Sequence, residues 1–350
     1  MPHFDFIYAV DLFCGAGGLT KGFREGGVRV VAGFDSDPEC RYPYETNNKT
    51  RFIEADVSKL SGKEVARMFP SSGVKLLAGC APCQPFSPLG RTGVGKQRTD
   101  RKLLLHFARL IREVRPHIVV MENVTNVRTR AEYAFFESTL RKLGYKISIH
   151  EINAHEYRVP QSRIRLVVLA SLFGPLELIT PTPEPNGRPF VEDAIREDLE
   201  PLQAGEASRT DPLHRAKGLT PINVRRIRAS LQGGTWHDWP KSLLLRCHKK
   251  ESGKKYVGVY GRMSWSAPSP TITTEFSNLG SGRFGHPEQD RAITPREASL
   301  LQSFSKDYDF LQPGLPFSHN RVGRWIGNAF PVKVAKSLAL SVGRHVSEYA

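Results

Sequence analysis

Cys83 is the residue with the clearest capacity for chemistry, because it lies between Pro82 and Pro85 directly after an apolar run, residues 74–78. That run predicts a buried strand, and open parallel sheets bind their ligands beyond the carboxyl ends of their strands. Only about 3% of an ordinary cysteine is thiolate, its nucleophilic form, at neutral pH. Cys83 can therefore act as a catalytic nucleophile only if other residues assist it.

Two further apolar runs carry residues that could assist a nucleophile. Glu122 follows residues 117–121, and a carboxyl group in a desolvated crevice can stay protonated and act as an acid. Arg163 and Arg165 precede residues 166–170. In an extended strand these two side chains would share one face, where paired guanidinium groups could hold a carbonyl oxygen or a phosphate.

A nucleotide-type site is predicted near the amino terminus. A β-prone run over residues 6–13 leads into glycines at positions 15, 17 and 18, and a helix is predicted over residues 19–25. The glycine spacing differs from that of the usual dinucleotide fingerprint. Asp35, 18 positions after Gly17, ends the next predicted strand, where a ribose diol would be held. Asp56 ends the strand after it and could bind an adenine amino group.

These residues need a sheet to position them, and the pattern of the chain predicts one. Strands are predicted over residues 6–13, 28–34, 51–55, 74–78, 117–121, 145–152 and 166–170. Further helices are predicted over residues 101–114, 135–143 and 332–340, with another that Thr294 caps and Pro295 begins. Five prolines in residues 175–189 indicate a linker. Residues 190–290 then predict a smaller, turn-rich second domain.

The charge of the chain favours a polyanionic partner. The 350 residues carry a net charge of +15. Residues 205–255 hold twelve Lys and Arg against four Asp and Glu, a net charge of +8, which favours nucleic acid. The glycine-rich and basic residues 87–100 predict a mobile loop that could close over such a partner. Five cysteines, no signal peptide pattern and no span of about 20 apolar residues predict a cytoplasmic protein without disulfides.

Together these segments resemble the cytosine-5 DNA methyltransferases, in the family's usual order over nearly the whole chain. Only residues of about 180–260 lie outside the match, where the family places its variable target-recognition domain. Asp35 stands where Glu is common in the family, and Phe330 replaces a smaller aliphatic residue. The matching motifs are residues 11–18, Pro82-Cys83-Gln84, Glu122-Asn123-Val124, Gln161 with Arg163 and Arg165, residues 294–297 and residues 327–331.

The resemblance implies an α/β fold with a Rossmann-like sheet of the S-adenosylmethionine-dependent methyltransferases and a smaller target-recognition domain. It implies a catalytic and cofactor-binding domain over residues 1–180, target recognition over 181–290, and a hinge and carboxyl-terminal segment over 291–350. The cofactor is S-adenosylmethionine. The residues that it would contact are Phe13, Gly15, Ala16, Gly17, Asp35, Ser36, Asp56, Val57, Pro82 and Asn328.

The implied reaction is methylation of cytosine carbon 5 within a specific duplex sequence. The Cys83 thiolate attacks carbon 6 of a flipped base, Glu122 protonates ring nitrogen 3, and Arg165, supported by Arg163, holds the ring oxygen. The resemblance further implies a bacterial modification methylase, monomeric, with a restriction endonuclease that acts separately. The candidate DNA contacts are Gln84, Ser87, Arg91, Lys96, Arg225, Arg226, Arg228, Gly233 and Gly234.

Other functions compete with this one. Cys80 and Cys83 form a C-x-x-C pair, as in thiol oxidoreductases, but Pro85 follows where such a motif should open a helix. A zinc site is disfavoured because the other cysteines form no second close pair. The glycine spacing disfavours a nicotinamide dehydrogenase. A non-catalytic DNA-binding module does not explain Cys83 and Glu122. An RNA cytosine-5 methyltransferase shares the motifs and stays open as an alternative.

Overall fold

Seven strands form a sheet in the computed structural model, which describes residues 4–82, 102–181, 187–197, 199–254 and 256–349. All seven strands that the sequence predicts are confirmed, with ends that shift by a few residues. Their bounds are β1 Phe4–Leu12, β2 Val28–Asp35, β3 Arg51–Glu54, β4 Val74–Gly79, β5 Ile118–Asn123, β6 Lys146–Asn153 and β7 Ile164–Ser171.

The strand order is β3-β2-β1-β4-β5-β7-β6. The first five strands along the chain pair in parallel, and β7 runs antiparallel to both β5 and β6. The chain reverses its winding direction between β1 and β4, and open α/β sheets bind ligands at such a switch point, beyond the carboxyl ends of the strands. The carboxyl ends of β1, β2, β4 and β5 therefore form the edge to inspect for a site.

Helices cover both faces of the sheet. On one face the helices over residues 62–66, 103–114 and 131–142 pack over an apolar core that includes Leu12, Leu77 and Phe107. On the other face the helix over residues 18–25 packs against the one over residues 332–349, so closely that a Cβ on Gly22 would lie 2.3 Å from the Val332 carbonyl oxygen. The helices that complete this part of the chain are α1 Gly18–Glu25, α2 Arg41–Asn48, α3 Gly62–Ala66, α4 Leu103–Val114, α5 Ala131–Lys142 and α11 Val332–Tyr349.

A second compact unit has little regular structure. Contacts assign residues 1–157, 164–182 and 330–350 to the first unit and residues 158–163 and 183–329 to the second. The sequence instead groups residues 291–329 with the carboxyl-terminal segment, so its functional division stays a prediction. The helices of the second unit are α6 Val191–Ile195, α7 Pro221–Ala229, α8 Glu251–Lys254, α9 Pro295–Leu301 and α10 His319–Asn328.

The predicted start of α9 is confirmed. Thr294 Oγ1 accepts a hydrogen bond from the Glu297 backbone N–H (3.2 Å), and the Thr294 N–H donates to Glu297 Oε2 (2.7 Å). Pro295 occupies the first helical position, where a missing N–H costs nothing. Within the described ranges, no helix is long and apolar enough to cross a membrane.

Candidate active site

The glycine loop wraps around the carboxyl end of β1. Phe13, Gly15 and Gly17 have backbone φ angles of 59°, 50° and 93°, in the left-handed region that glycine enters without steric cost. The Cys14 N–H donates to the Phe34 carbonyl oxygen over 3.1 Å. These turns bring backbone groups of the loop against the end of β2, and Gly17 caps α1.

Asp35 holds this loop through its side chain. Its Oδ2 accepts a hydrogen bond from the Gly15 N–H and its Oδ1 accepts one from the Asp37 N–H, both over 2.9 Å. Burial nevertheless raises the pKa of Asp35 above its ordinary value, because the desolvation cost of the carboxylate outweighs the two hydrogen bonds. The predicted ribose-binding acid thus lies beside the predicted glycine loop.

The residues beyond β3 differ in exposure. Asp56 is exposed, and hydrogen bonds from Ser58 hold its pKa below the ordinary value. Val57 is buried in the apolar core, while Ser36, after β2, is exposed. The exposed Asp56 carboxylate beyond β3 is compatible with the predicted contact to the adenine amino group.

Glu122 and Arg165 form an ion pair. The Arg165 Nε lies 3.0 Å from Glu122 Oε1, and both side chains are nearly buried. Glu122 lies on β5 and Arg165 lies on β7. The register of these antiparallel strands, with Glu122 opposite Val167, brings the two side chains together. The Arg165 Nη1 also donates to the Ile164 carbonyl oxygen over 2.7 Å.

Asn123 ties the segment after β4 to the end of β5. Its Nδ2 donates to the Ala81 carbonyl oxygen over 3.1 Å, and its Oδ1 accepts from the Val124 N–H over 2.8 Å. Pro82 is half-buried at the end of this described segment. The predicted nucleophile, Cys83, lies outside the described residues, as do the predicted DNA contacts Gln84, Ser87, Arg91 and Lys96.

Two residues predicted for the site belong to the second unit. Arg163 precedes β7 instead of sharing that strand with Arg165, and its Nη1 donates to the Ile272 carbonyl oxygen over 3.1 Å. Arg163 lies one residue before β7 begins, so the expectation that it shares a strand face with Arg165 stays a prediction. Asn328 is exposed at the end of α10.

The three predicted DNA-binding arginines of α7 differ in their contacts. Arg226 donates to the Leu243 carbonyl oxygen and to Asn223, and its guanidinium lies over the Trp239 ring. Arg228 forms an ion pair with Asp290 at 2.8 Å. Arg225 is exposed, and its side chain forms no hydrogen bond or ion pair with the described residues. Of the three, Arg225 is the one whose charge stays open to a partner.

The glycine pair of the second unit shapes a tight turn. Gly233 has a φ of 74°, and a Cβ on Gly234 would lie 2.0 Å from Asp238 Oδ2. The Gly233 N–H donates to the Met263 carbonyl oxygen, and the Gly234 carbonyl oxygen accepts from the Arg262 N–H. Both glycines are thus required by the backbone path, independently of any DNA contact.

A family model described as C-5 cytosine-specific DNA methylase matches residues 7–344. The chain belongs to this family. This methylase is 47% identical to the Type II methylase M.HgiDII of Herpetosiphon aurantiacus, a match that covers 96% of this chain and 94% of that protein. It is 30% identical to the Type II methyltransferase M1.HphI of Haemophilus parahaemolyticus, over 95% of this chain and 86% of that protein. The resemblance inferred from the motifs is confirmed.

Solved structures confirm the fold of the methylase. The methyltransferase EhMeth of Entamoeba histolytica superposes with a TM-score of 0.66 at 15% identity, over 99% of both chains. A prophage-encoded protein of Escherichia coli, assigned as a DNA modification methyltransferase, superposes with a TM-score of 0.71 at 20% identity, over 97% of this chain and 99% of that one. The predicted Rossmann-like methyltransferase sheet is therefore correct.

The residues at the β1 and β2 ends of the methylase suit a cationic nucleoside. Asp35 and Asp11 place two carboxyl groups at neighbouring strand ends, and burial raises the pKa of both. One oxygen of Asp11, Oδ1, is buried without a hydrogen-bond partner among the described residues. A ligand with positive charge would relieve that arrangement, and S-adenosylmethionine carries a sulfonium and an ammonium group. The site therefore fits the donor that the family uses.

Sequence reasoning missed two of these contributors. The motif of residues 11–18 gives Asp11 no role of its own, although an acid within an apolar strand is a signal of a buried carboxyl group. The motif that contains Asn123 likewise gives that residue no role. Its tether to Ala81 depends on two strand ends that lie side by side in the sheet, and no local pattern in the sequence reveals that proximity.

Proposed function

We propose that this methylase transfers the methyl group of S-adenosylmethionine to carbon 5 of cytosine in a specific duplex DNA sequence. The names of its relatives, Type II methylases and methyltransferases, support a role as the modification enzyme of a restriction-modification system. The observation that carries the chemical proposal is the ion pair between Glu122 and Arg165, 3.0 Å apart at the sheet edge where the Asn123 tether holds the segment that leads to Cys83.

The proposed reaction begins with a covalent bond. The Cys83 sulfur adds to carbon 6 of the ring, and the electron pair of the carbon 5–carbon 6 double bond moves toward ring nitrogen 3 and the ring oxygen. Because Glu122 forms an ion pair with Arg165 in the ligand-free protein, it must first take a proton from solvent. It then gives that proton to nitrogen 3, and Arg165 pairs again with the carboxylate that remains. Arg165 also supplies positive charge to the ring oxygen, as preorganised donors do in other enzymes. Arg163, held by the Ile272 carbonyl oxygen, is the supporting residue.

The methyl donor supplies an electrophilic methyl group to carbon 5. We assign its binding to Phe13, Gly15, Ala16, Gly17, Asp35, Ser36, Asp56, Val57, Pro82 and Asn328. The backbone turns of the glycine loop permit close approach of a ligand, and the Asp35 carboxylate can accept hydrogen bonds from a ribose diol. Loss of the carbon 5 proton to a water molecule then restores the double bond and expels the Cys83 thiolate. Nitrogen 3 returns its proton to Glu122, so the enzyme regains its starting state.

The second unit is proposed to recognise the DNA sequence. Arg225, Arg246, Lys249 and Lys250 are exposed, and none of their side chains forms a hydrogen bond or ion pair with the residues that the structure describes. Such cations neutralise phosphates and release counterions, while base identity is read in the major groove. Because carbon 6 is inaccessible within a duplex, the target cytosine must leave the stack, and the basic residues 87–100 are proposed to close over it.

Bisulfite sequencing of DNA from cells that express the protein tests this proposal. We expect protected cytosines at one recurring sequence, and no protection in cells that express the Cys83→Ser variant. Retained binding of S-adenosylmethionine by that variant would show that its fold is intact. Methyl transfer to transfer RNA but not to duplex DNA would instead favour the RNA methyltransferase. We further propose a cytoplasmic monomer with a separate endonuclease, which sizing and co-expression experiments would check.

A further inference from the structure

A cavity of about 580 Å³ lies at the amino-terminal ends of β2 and β3. Its walls come from the last turn of α1, the first half of β2 and the segment that joins α2 to β3. The proposed donor site is at the opposite, carboxyl ends of the same strands. β2 spans eight residues, so its two ends are about 23 Å apart at a rise of about 3.3 Å per residue. The cavity is therefore separate from the proposed donor site.

The lining of this cavity carries positive charge only. None of its lining residues is acidic, and four are cationic and exposed: Arg24, Arg29, Lys49 and Arg51. None of the four side chains forms an ion pair with the residues that the structure describes. By contrast, Lys21 on α1 and Arg41 on α2 each pair with a glutamate of their own helix. Four like charges around one cavity repel one another, and an anion that entered it would be attracted by all of them.

Contacts within the protein position two of these cations without neutralising them. The Arg24 Nη1 donates to Thr50 Oγ1 over 3.4 Å, and Thr50 is itself buried. The Arg29 guanidinium carbon lies 5.9 Å from the centre of the Tyr8 ring, on the neighbouring strand β1. A hydroxyl group and an aromatic ring orient a guanidinium group but carry no negative charge. Both arginines therefore keep their charge available to a ligand.

The other two cations lie on the segment that leads into β3. Lys49 ends α2 with a φ of 49°, in the left-handed region where glycine or asparagine is the usual residue. The carboxyl end of a helix attracts cations, which accounts in part for Lys49 and for Arg24 in the last turn of α1. Arg29 and Arg51 lie on strands. The helix ends therefore do not explain why four cations surround the cavity.

The size and lining of the cavity favour a compact ligand. Sites for small molecules typically have volumes of about 300–1,000 Å³, and this cavity lies within that range. Arginine and lysine are the side chains that bind phosphate groups, arginine through its planar fork and lysine as a point charge. Duplex DNA spreads its charges along a rod that a cavity of this size does not admit, whereas a polyphosphate gathers several charges in a small volume.

We propose that this basic cavity binds a compact polyphosphate, at a site separate from those of the methyl donor and the target cytosine. The inference goes beyond the proposed function and does not depend on it, since no residue of the cavity is assigned to the reaction. Two ligands share the required chemistry, a nucleoside triphosphate and an inorganic polyphosphate chain. Val28, Val30 and Val31 also line the cavity, and this apolar part gives a nucleoside a surface to pack against.

Isothermal titration calorimetry of the full chain with guanosine triphosphate tests the proposal, in magnesium-free buffer at low salt. An excess of S-adenosylhomocysteine keeps the nucleotide out of the proposed donor site. We expect one molecule to bind per chain, with an affinity that falls as salt is added, and we expect guanosine not to bind. Inorganic tripolyphosphate separates the two sources: equal affinity assigns the cavity to the phosphate chain alone, and weaker binding than guanosine triphosphate assigns it to a nucleotide.

The double variant Lys49→Asn with Arg51→Gln removes two of the four charges. Asparagine tolerates the left-handed backbone of position 49, so we expect the variant to melt no lower than the unaltered protein. Its affinity for guanosine triphosphate should fall at least about tenfold, because hydrogen bonds to charged groups are among the strongest in proteins. Arg51→Gln alone, at an exposed position, should lower the affinity in the same direction and serves if the double variant does not fold.

The matched control is Arg115→Asn with Lys146→Gln. Arg115 ends α4 with a φ of 52°, and Lys146 begins β6 at the other side of the sheet. This pair removes the same charge from the same kinds of backbone position, because both residues are exposed and neither side chain forms an ion pair with a described residue. The control should leave the affinity for guanosine triphosphate unchanged.

Three results would overturn the inference, and each would leave the proposed function intact. The first is that the folded protein binds neither guanosine triphosphate nor tripolyphosphate, or binds guanosine as tightly as its triphosphate. The second is an equal loss of affinity in the double variant and in its control, which would reduce the effect to net charge. The third is unchanged binding of guanosine triphosphate by the double variant together with weaker binding of duplex DNA, which would assign these cations to the DNA backbone.

Discussion

The two units of this methylase use buried polar side chains differently. In the first unit the core is apolar, and buried or half-buried charged groups such as Asp11, Asp35, Glu122 and Arg165 gather at the carboxyl edge of the sheet. In the second unit ionic groups lie within the core itself. Arg291 is fully buried and donates to both carboxylate oxygens of Glu297, at 2.7 and 2.8 Å.

Arg262 illustrates why the second unit needs such groups. Its guanidinium donates to the carbonyl oxygens of Ser230, Ile227, His286 and Gln289 and to the Asp290 carboxylate. Irregular backbone leaves carbonyl groups that no helix or strand satisfies, and one planar cation with five donors can serve several of them. Buried charges thus hold the fold in the second unit, while in the first unit they are placed where chemistry is proposed.

This contrast predicts that Glu122→Gln affects turnover far more than stability. Loss of a positioned proton donor typically costs 10²–10⁴-fold in rate, so we expect methyl transfer to duplex DNA to fall at least tenfold. Binding of S-adenosylmethionine and the urea midpoint should change little. Single-turnover transfer of a labelled methyl group measures the effect.

The control for this variant is Glu151→Gln, an exposed acid on β6 that lies opposite Leu166. It should keep normal turnover. Unchanged turnover in Glu122→Gln would remove Glu122 from the proton-donor role. A large loss of stability in that variant would show that its ion pair with Arg165 is structural, as the ion pairs of the second unit are.

Glu297→Gln should show the opposite pattern. It leaves Arg291 buried without a counter-charge, and breaking a buried pair in this way costs about 3–5 kcal/mol. The measurement is the free energy of unfolding from urea titration at pH 7. Glu192→Gln is the matched control, since it breaks an exposed pair with Arg196 on α6 and should cost no more than about 0.5 kcal/mol. Equal effects of the two variants would contradict the contrast between the units.

The buried ionic groups Arg291, Glu297 and His286 predict that the protein loses stability in acid. Arg291 holds the pKa of Glu297 at about 2 against the effect of burial, so stabilisation present above the unfolded value of 4.5 is lost as pH falls toward 2. Burial lowers the pKa of His286 to about 4, so stability also falls between pH 6.5 and 4. Part of this acid sensitivity should disappear in Glu297→Gln.

The difference between the units also explains what the sequence could predict. Seven apolar runs predicted seven strands because the alternation and burial of a sheet follow from local residue type. The cap of α9 was predictable for the same reason, since Thr294 and Glu297 are three positions apart. The register that places Arg165 against Glu122 was not, because the two residues are 43 positions apart and meet only through antiparallel pairing of β5 with β7.

Fewer features of the second unit could be predicted from local sequence pattern. Arg226 and Arg228 belong to a basic cluster that predicts a polyanion-facing surface, yet the side chain of each has a partner within the protein. Sequence pattern cannot distinguish an arginine that satisfies distant carbonyl groups from one that faces solvent. Only the three-dimensional path of residues 227–290 makes that distinction, and it leaves Arg225 exposed.

Arg225 and Arg226 therefore provide the finest test of the contrast, because they are adjacent in sequence and opposite in contacts. For Arg225→Ala we expect DNA affinity to fall about threefold to tenfold, and the salt dependence of log affinity to lose about one unit of slope if the contact is to phosphate. Stability should change by less than about 0.5 kcal/mol, as at an ordinary surface position. Fluorescence anisotropy with a duplex at several salt concentrations measures the first two quantities.

Arg226→Ala should instead lower the free energy of unfolding by about 1–3 kcal/mol, because it leaves the Leu243 carbonyl oxygen and Asn223 without their donor and removes the cation from the Trp239 ring. Its effect on the salt slope should be small. If Arg226→Ala reduced the slope while Arg225→Ala did not, Arg226 would face DNA despite its internal contacts. The proposed division between structural and DNA-facing arginines on α7 would then be reversed.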